Sequence, residues 1–151
     1  FASAESVSFP KDFYRIYQAL RPTLTLESCT FRGIASVECF TKLPSTLTAL
    51  TAGNFQKISA DVFFVGSQLS PRFPNLTHLN VGNSATRILP RVLKYYNLTS
   101  LAMTDAPTPT VHDISPRLLY HCPASLRSLT IRNLCSLSRF HLPENLETLI
   151  M

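Results

Sequence analysis

Four cysteines and four histidines are the residue types in this chain best suited to hold a metal or act as nucleophiles. Their spacing builds neither kind of site. Cys29, Cys39, Cys122 and Cys135 form no C-x-x-C pair, so the usual zinc-ligand spacing is missing. His121 and Cys122 are neighbours, which suits ligation of one ion poorly. His112 and Asp113 lie in a proline-rich stretch with no nucleophile placed beside them. Neither H-E-x-x-H nor G-x-S-x-G occurs, and with only four glycines there is no phosphate-cradling loop. The expectation is a protein that is not an enzyme and carries no metal or cofactor. The cysteines read either as small buried hydrophobes or as the disulfides Cys29–Cys39 and Cys122–Cys135. The second reading would imply an oxidising compartment. An intracellular setting stands ahead of a secreted one.

Two further motifs carry possible chemistry. Asn75-Leu76-Thr77 and Asn97-Leu98-Thr99 are acceptor sequons for N-linked sugar. Both also coincide with an Asn-Leu pair that a structural repeat supplies, so they can arise without modification. The net charge of +5 comes from ten Arg and four Lys scattered along the chain, with no basic cluster. A nucleic-acid surface would align them on one face, so nucleic acid is not expected as a partner. No apolar run approaches the ~20 residues that cross a bilayer. Apolar residues make up 45 % and charged residues 15 %. That is too apolar for disorder, and it implies a sparsely charged surface of the kind partners cover.

The elements that would position these groups come from a repeat. Two leucines three apart, followed two residues on by another apolar residue, occur at Leu47–Leu50–Ala52, Leu76–Leu79–Val81, Leu98–Leu101–Met103, Leu126–Leu129–Ile131 and Leu146–Leu149–Met151. A partial hit, Leu24–Leu26, has Arg21 in the first position. The central residues are 26, 29, 22, 28 and 20 apart. The last two apolar residues of each hit share one face of a short strand, because side chains alternate. The residues between them face outward. Proline stands just before four of the strands, at Pro44, Pro74, Pro123 and Pro143, where its fixed φ ends one segment and turns the chain.

Between the strands, residues 90–96 and 115–121 suit short helices, with Pro90 at a first helical position and Ser115 as a cap. Residues 13, 16, 17 and 20 are apolar at helical spacing, which predicts an N-terminal helical cap over 1–20 ahead of a repeat unit over 21–151. Phe63-Phe64 and Tyr95-Tyr96 cannot each face inward together along a strand, so one of each pair is expected to be exposed or in the convex layer. The last hit stops at Met151 in mid-strand, so that edge is expected to be covered by more chain or by a partner.

These hits resemble the leucine-rich-repeat superfamily over about residues 20–151, whose repeats span ~20–29 residues. The likeness implies an α/β solenoid of about six coils. Short parallel strands would line the concave face, and irregular or helical connectors the convex one. Pro143-Glu144-Asn145-Leu146-Glu147-Thr148-Leu149 is similar to the L-P-x-x-L-x-x-L repeats of bacterial effectors, and residues 43–55 to FNIP-type repeats. The family's usual asparagine beyond the strand is replaced by Cys29, Phe55, Ser84, Ala106 and Leu134. Cys29 resembles the cysteine-containing subclass at that position.

On such a solenoid the outward residues include Thr25, Glu27, Thr48, Thr51, Thr77, Ser100, Ser128, Thr130 and Glu147, mostly small and polar. The best candidates for partner binding on the concave face are His78, Asn80, Asn83, Asp105, Arg127 and Arg132. The bland alternative is a solvated sheet face. The resemblance implies a protein–protein interaction module, a scaffold, adaptor or recognition domain. Alternatives are a structural subunit of a large complex, a receptor ectodomain, or an effector's recognition domain.

Overall fold

The computed structural model describes residues 7–8, 27–34, 40–41, 43–54, 59–81, 89–103, 122–131 and 142–151. Seven strands form one parallel sheet: β1 (Val7–Ser8), β2 (Ser28–Ile34), β3 (Ala49–Asn54), β6 (His78–Val81), β7 (Ser100–Met103), β8 (Ser128–Ile131) and β9 (Thr148–Ile150). They lie side by side in chain order, so each of these strands pairs with the next one along the chain. Between β3 and β6 sit a 3₁₀ turn (Ala60–Phe63) and a small antiparallel pair, β4 (Phe64–Val65) and β5 (Ser70–Pro71). Among the described residues a helix, α1 (Leu89–Tyr95), precedes β7.

The register explains the leucine spacing. Leu50 pairs with Leu79, Leu79 with Leu101, Leu101 with Leu129, and Leu129 with Leu149. A second rung runs Ala52, Val81, Met103, Ile131. Every residue on these rungs from Leu50 to Ile131 is buried, and Leu149 is half-buried. Each fully buried leucine contributes roughly 1.5–3 kcal/mol. The leading leucines Leu47, Leu76, Leu98 and Leu126 are also buried, under the turn that feeds each strand. Among the described residues no charged side chain is buried.

Local turns deliver each strand. The amide of Leu47 donates to Pro44 O, that of Leu126 to Pro123 O, that of Leu146 to Pro143 O and that of Leu76 to Phe73 O, all at 3.0–3.3 Å. Thus the prolines sit in or at the start of one-turn bends, as their spacing predicts. The strand before β7 is fed differently: α1 ends with Tyr96 N donating to Val92 O, and Asn97-Leu98 follow directly.

Three expectations change. Cys29, not Leu24, pairs with Leu50, and Phe31 pairs with Ala52, so the motif in register with the later strands is centred on Cys29. Cys29 is therefore a core residue of a strand and not a substitute for the asparagine beyond it. Within the segment expected as a helical cap, Val7–Ser8 form β1 and pair with Cys29 and Thr30. The helical spacing at 13–20 lies outside the described residues, as do 115–121. Finally, of the two alternatives for Phe63-Phe64, exposure of one or a place in the convex layer, exposure falls away, since both are buried. The pair straddles the junction of the 3₁₀ turn and β4, where strand alternation does not apply. Tyr95 and Tyr96 divide as expected, the first exposed and the second buried.

Those aromatics fill the long return between β3 and β6. Phe63 stacks edge-on to Phe73 and Tyr96 at 6.4 and 6.1 Å and tilts against Phe40 at 5.9 Å. The Tyr96 hydroxyl donates to Phe63 O and accepts from Phe73 N at 3.4 Å. Arg72 donates to Val62 O at 2.8 Å and Phe64 O at 3.1 Å. Burial pushes the Tyr96 phenol up to about 12, against the lowering pull of backbone bonds at Phe73 and Arg72 and of the Arg72 charge.

Candidate functional site

The sheet face opposite the leucines presents its residues in register from β2 to β9. Alternation puts Ser28, Ala49, His78, Ser100, Ser128 and Thr148 in one row across the strands. Thr30, Thr51, Asn80, Ala102, Thr130 and Ile150 make a second. All are half-buried or exposed, and His78, Thr148 and Ile150 are exposed. Successive residues of a row stand ~4.8 Å apart, the spacing between strands. The face is thus a grid of hydroxyls, amides and methyls with one imidazole in it.

A third row, at the lead-in to the strands, is Glu27, Thr48, Thr77, Thr99, Arg127 and Glu147. Each carbonyl of this row from Glu27 to Arg127 accepts two amides from the next strand: Thr48 and Ala49 bond Glu27 O at 2.9 and 3.1 Å, and the pattern repeats to Glu147 and Thr148 on Arg127 O. Three of the side chains reinforce it. Thr48 Oγ1 donates to Glu27 O, Thr77 Oγ1 to Thr48 O and Thr99 Oγ1 to Thr77 O, at 3.0, 3.3 and 3.3 Å. Stacked threonine hydroxyls therefore tie successive strands together at this end of the sheet.

Thr77 Oγ1 also lies 2.8 Å from His78 Nδ1. A hydroxyl has one hydrogen. With it directed at Thr48 O, the Thr77 oxygen is left to accept from the ring.

Of the six expected contact residues, His78 and Asn80 lie on β6 and face outward, as the alternation requires. Arg127 is exposed at the start of β8, two strands away, and turns toward β9. Its Nη1 is 3.5 Å from Glu147 Oε1 and donates to Asn145 O at 3.4 Å. His78 and Arg127 therefore do not close one compact patch. Asn83, Asp105 and Arg132 lie outside the described residues. Ser28, Thr30, Ala49, Ala102, Thr148 and Ile150 share the face but were not singled out. The missed ones on β2 follow from the misplaced first repeat. The others follow from the same alternation that located His78 and Asn80.

Cys122 is a half-buried free thiol, and burial pushes its pKa up to about 11. It is therefore neutral near pH 7 and a poor nucleophile. A Cys122–Cys135 disulfide is not formed. Cys39 and Cys135 lie outside the described residues. Among the described residues no group of three or more His, Cys, Asp or Glu could hold a metal ion, and no helix is long and apolar enough to cross a membrane. No family model, no curated protein and no solved structure matches this chain.

Proposed function

We propose that the chain is a leucine-rich-repeat solenoid that acts as a protein–protein interaction module, binding its partner on the outward face of the parallel sheet. The observation that carries this reading is the continuity of that face across the strands from β2 to β9, two rows deep and free of buried charge. Short side chains let a partner approach the backbone closely. His78 and Asn80 supply directional polar contacts near its middle. Arg127 and Glu147 form an exposed ion pair at the rim, which contributes little to stability and is open to exchange for partner contacts. The one described hydroxyl beside the imidazole, that of Thr77, also donates to Thr48 O, which suits the polar grid to recognition better than catalysis. The chain then serves as a scaffold, adaptor or recognition domain of a larger protein or assembly.

The test is crosslinking of the full chain to proteins captured from its own cells, with the crosslinked positions mapped. Outward-face variants Asn80→Arg and Thr130→Arg should abolish capture, and Tyr95→Arg on the α1 side should leave it intact. Capture that survives both outward changes and fails with Tyr95→Arg would move the contact surface to the connectors.

A further inference from the structure

The residue three places before each strand is set by register: Asn75 before β6, Asn97 before β7, Ser125 before β8 and Asn145 before β9. Two of these side chains are used by the fold. Ser125 Oγ donates to Leu98 O at 2.8 Å, and Asn145 Nδ2 donates to Ala124 O at 3.0 Å. Each ties its turn to the one before it. Asn75 and Asn97 are exposed and, among the described residues, make no such bond to the preceding turn. The need to tie turns together therefore explains a polar residue at 125 and 145 but not asparagine at 75 and 97. These two are also the asparagines of this row followed by Leu-Thr; Asn145 is followed by Leu146-Glu147 and cannot serve as an acceptor.

We infer that Asn75 and Asn97 are acceptors for N-linked sugar, carried on the rim of the sheet at the lead-in to β6 and β7. The donor is an oligosaccharide linked through a diphosphate to a lipid. A bond forms from the carboxamide Nδ2 to the anomeric carbon of the sugar. The bond from that carbon to the diphosphate oxygen breaks, the lipid diphosphate leaves with the electron pair, and the carboxamide loses one proton.

The fold sets when this occurs. In the finished structure Leu76 and Leu98 are buried between the acceptor and its threonine. The hydroxyls of Thr77 and Thr99 are committed to carbonyls of the preceding strand. Transfer requires that tripeptide to be extended and its hydroxyl available. Modification therefore precedes closure of the β6 and β7 repeats. Once closed, both asparagines are exposed and a sugar there displaces nothing in the core. The adjacent rim would then be shielded from partners, leaving the outward rows open. The inference does not rest on the binding role proposed above.

The measurement is made on the full chain isolated from its own cells. It is treated with peptide N-glycosidase in heavy-oxygen water and digested for mass spectrometry. Release converts the linked asparagine to a heavy-labelled aspartate at 75, 97 or both, with a matching drop in apparent mass. Asn75→Gln and Asn97→Gln, expressed in the same cells, should each remove the label from their own site and leave the thermal transition of the deglycosylated protein unchanged. Recovery of both positions as unlabelled asparagine overturns the inference.

Discussion

Two returns of the chain, 55–77 between β3 and β6 and 82–99 between β6 and β7, bring a leucine to the same rung by different means. The longer one folds a 3₁₀ turn and a hairpin over an aromatic cluster, and closes with a one-turn bend at Phe73–Leu76. The shorter one includes the helix α1, which ends directly at Asn97-Leu98. Leu50, Leu79 and Leu101 nevertheless stand in unbroken register. The rung is set by the last few residues before each strand and by the carbonyl ladder at Glu27, Thr48, Thr77 and Thr99. The body of each return is free to differ, and it does.

The comparison can be broken at the part both returns share. Leu101→Ala leaves a cavity between β6 and β8 and should cost about 2–5 kcal/mol, read as a lowered urea midpoint for the whole unit. A cost below ~1 kcal/mol would mean the rung does not hold the strands. Tyr96→Phe cuts the tie from the shorter return to the longer one. It removes the donor to Phe63 O and the acceptor for Phe73 N, and should cost about 1–2 kcal/mol. Hydrogen exchange should quicken at Phe73, while Leu101 and Leu129 keep their protection.

Tyr96 also sets a pH window. Its folded pKa lies above the unfolded value of 10.0, so the folded state holds the proton more tightly. That stabilisation is fully present below 10.0 and is lost as pH rises toward about 12. Ultraviolet titration should show one tyrosine ionising in this range together with loss of structure. In the Phe variant the alkaline transition should move accordingly.

Smaller effects sharpen the picture of the hairpin. Gly66 has φ of +69° with open space where a Cβ would stand, so Gly66→Ala should cost only the backbone term, about 1 kcal/mol by thermal denaturation. Leu69, at φ +56°, already bears such a strain in the same turn, with its side chain packed against the core. Smallest is Arg91→Ala, which removes an exposed ion pair to Asp61 at 2.8 Å and the cation over the Phe64 ring. It should change stability by about 0.5 kcal/mol, and less at high salt.

The regular part of this fold was legible because two leucines and a following apolar residue recur at fixed places with only the return lengths varying. The first repeat was not. Cys29 stands where the central leucine is expected, and Leu24–Leu26 offered a false register five residues early. Val7–Ser8 is too short for a period to show. The joint burial of Phe63 and Phe64 depends on a change of backbone state between them, which alternation cannot report. On the outward face, His78 and Asn80 follow from alternation alone. The turn of Arg127 toward Glu147 does not, since the two are 20 residues apart in the chain and meet only when repeats stack.

The doubly bonded carbonyls at the strand lead-ins also set how the molecule would yield to force. Each strand grips its neighbour through the same small set of bonds, so tension applied along the stack loads them one after another and not all at once. Stretched between β3 and β9, the protein should peel in discrete events. The lengths released should follow the leucine spacings of 29, 22, 28 and 20 residues, a signature a single-molecule tether could read directly.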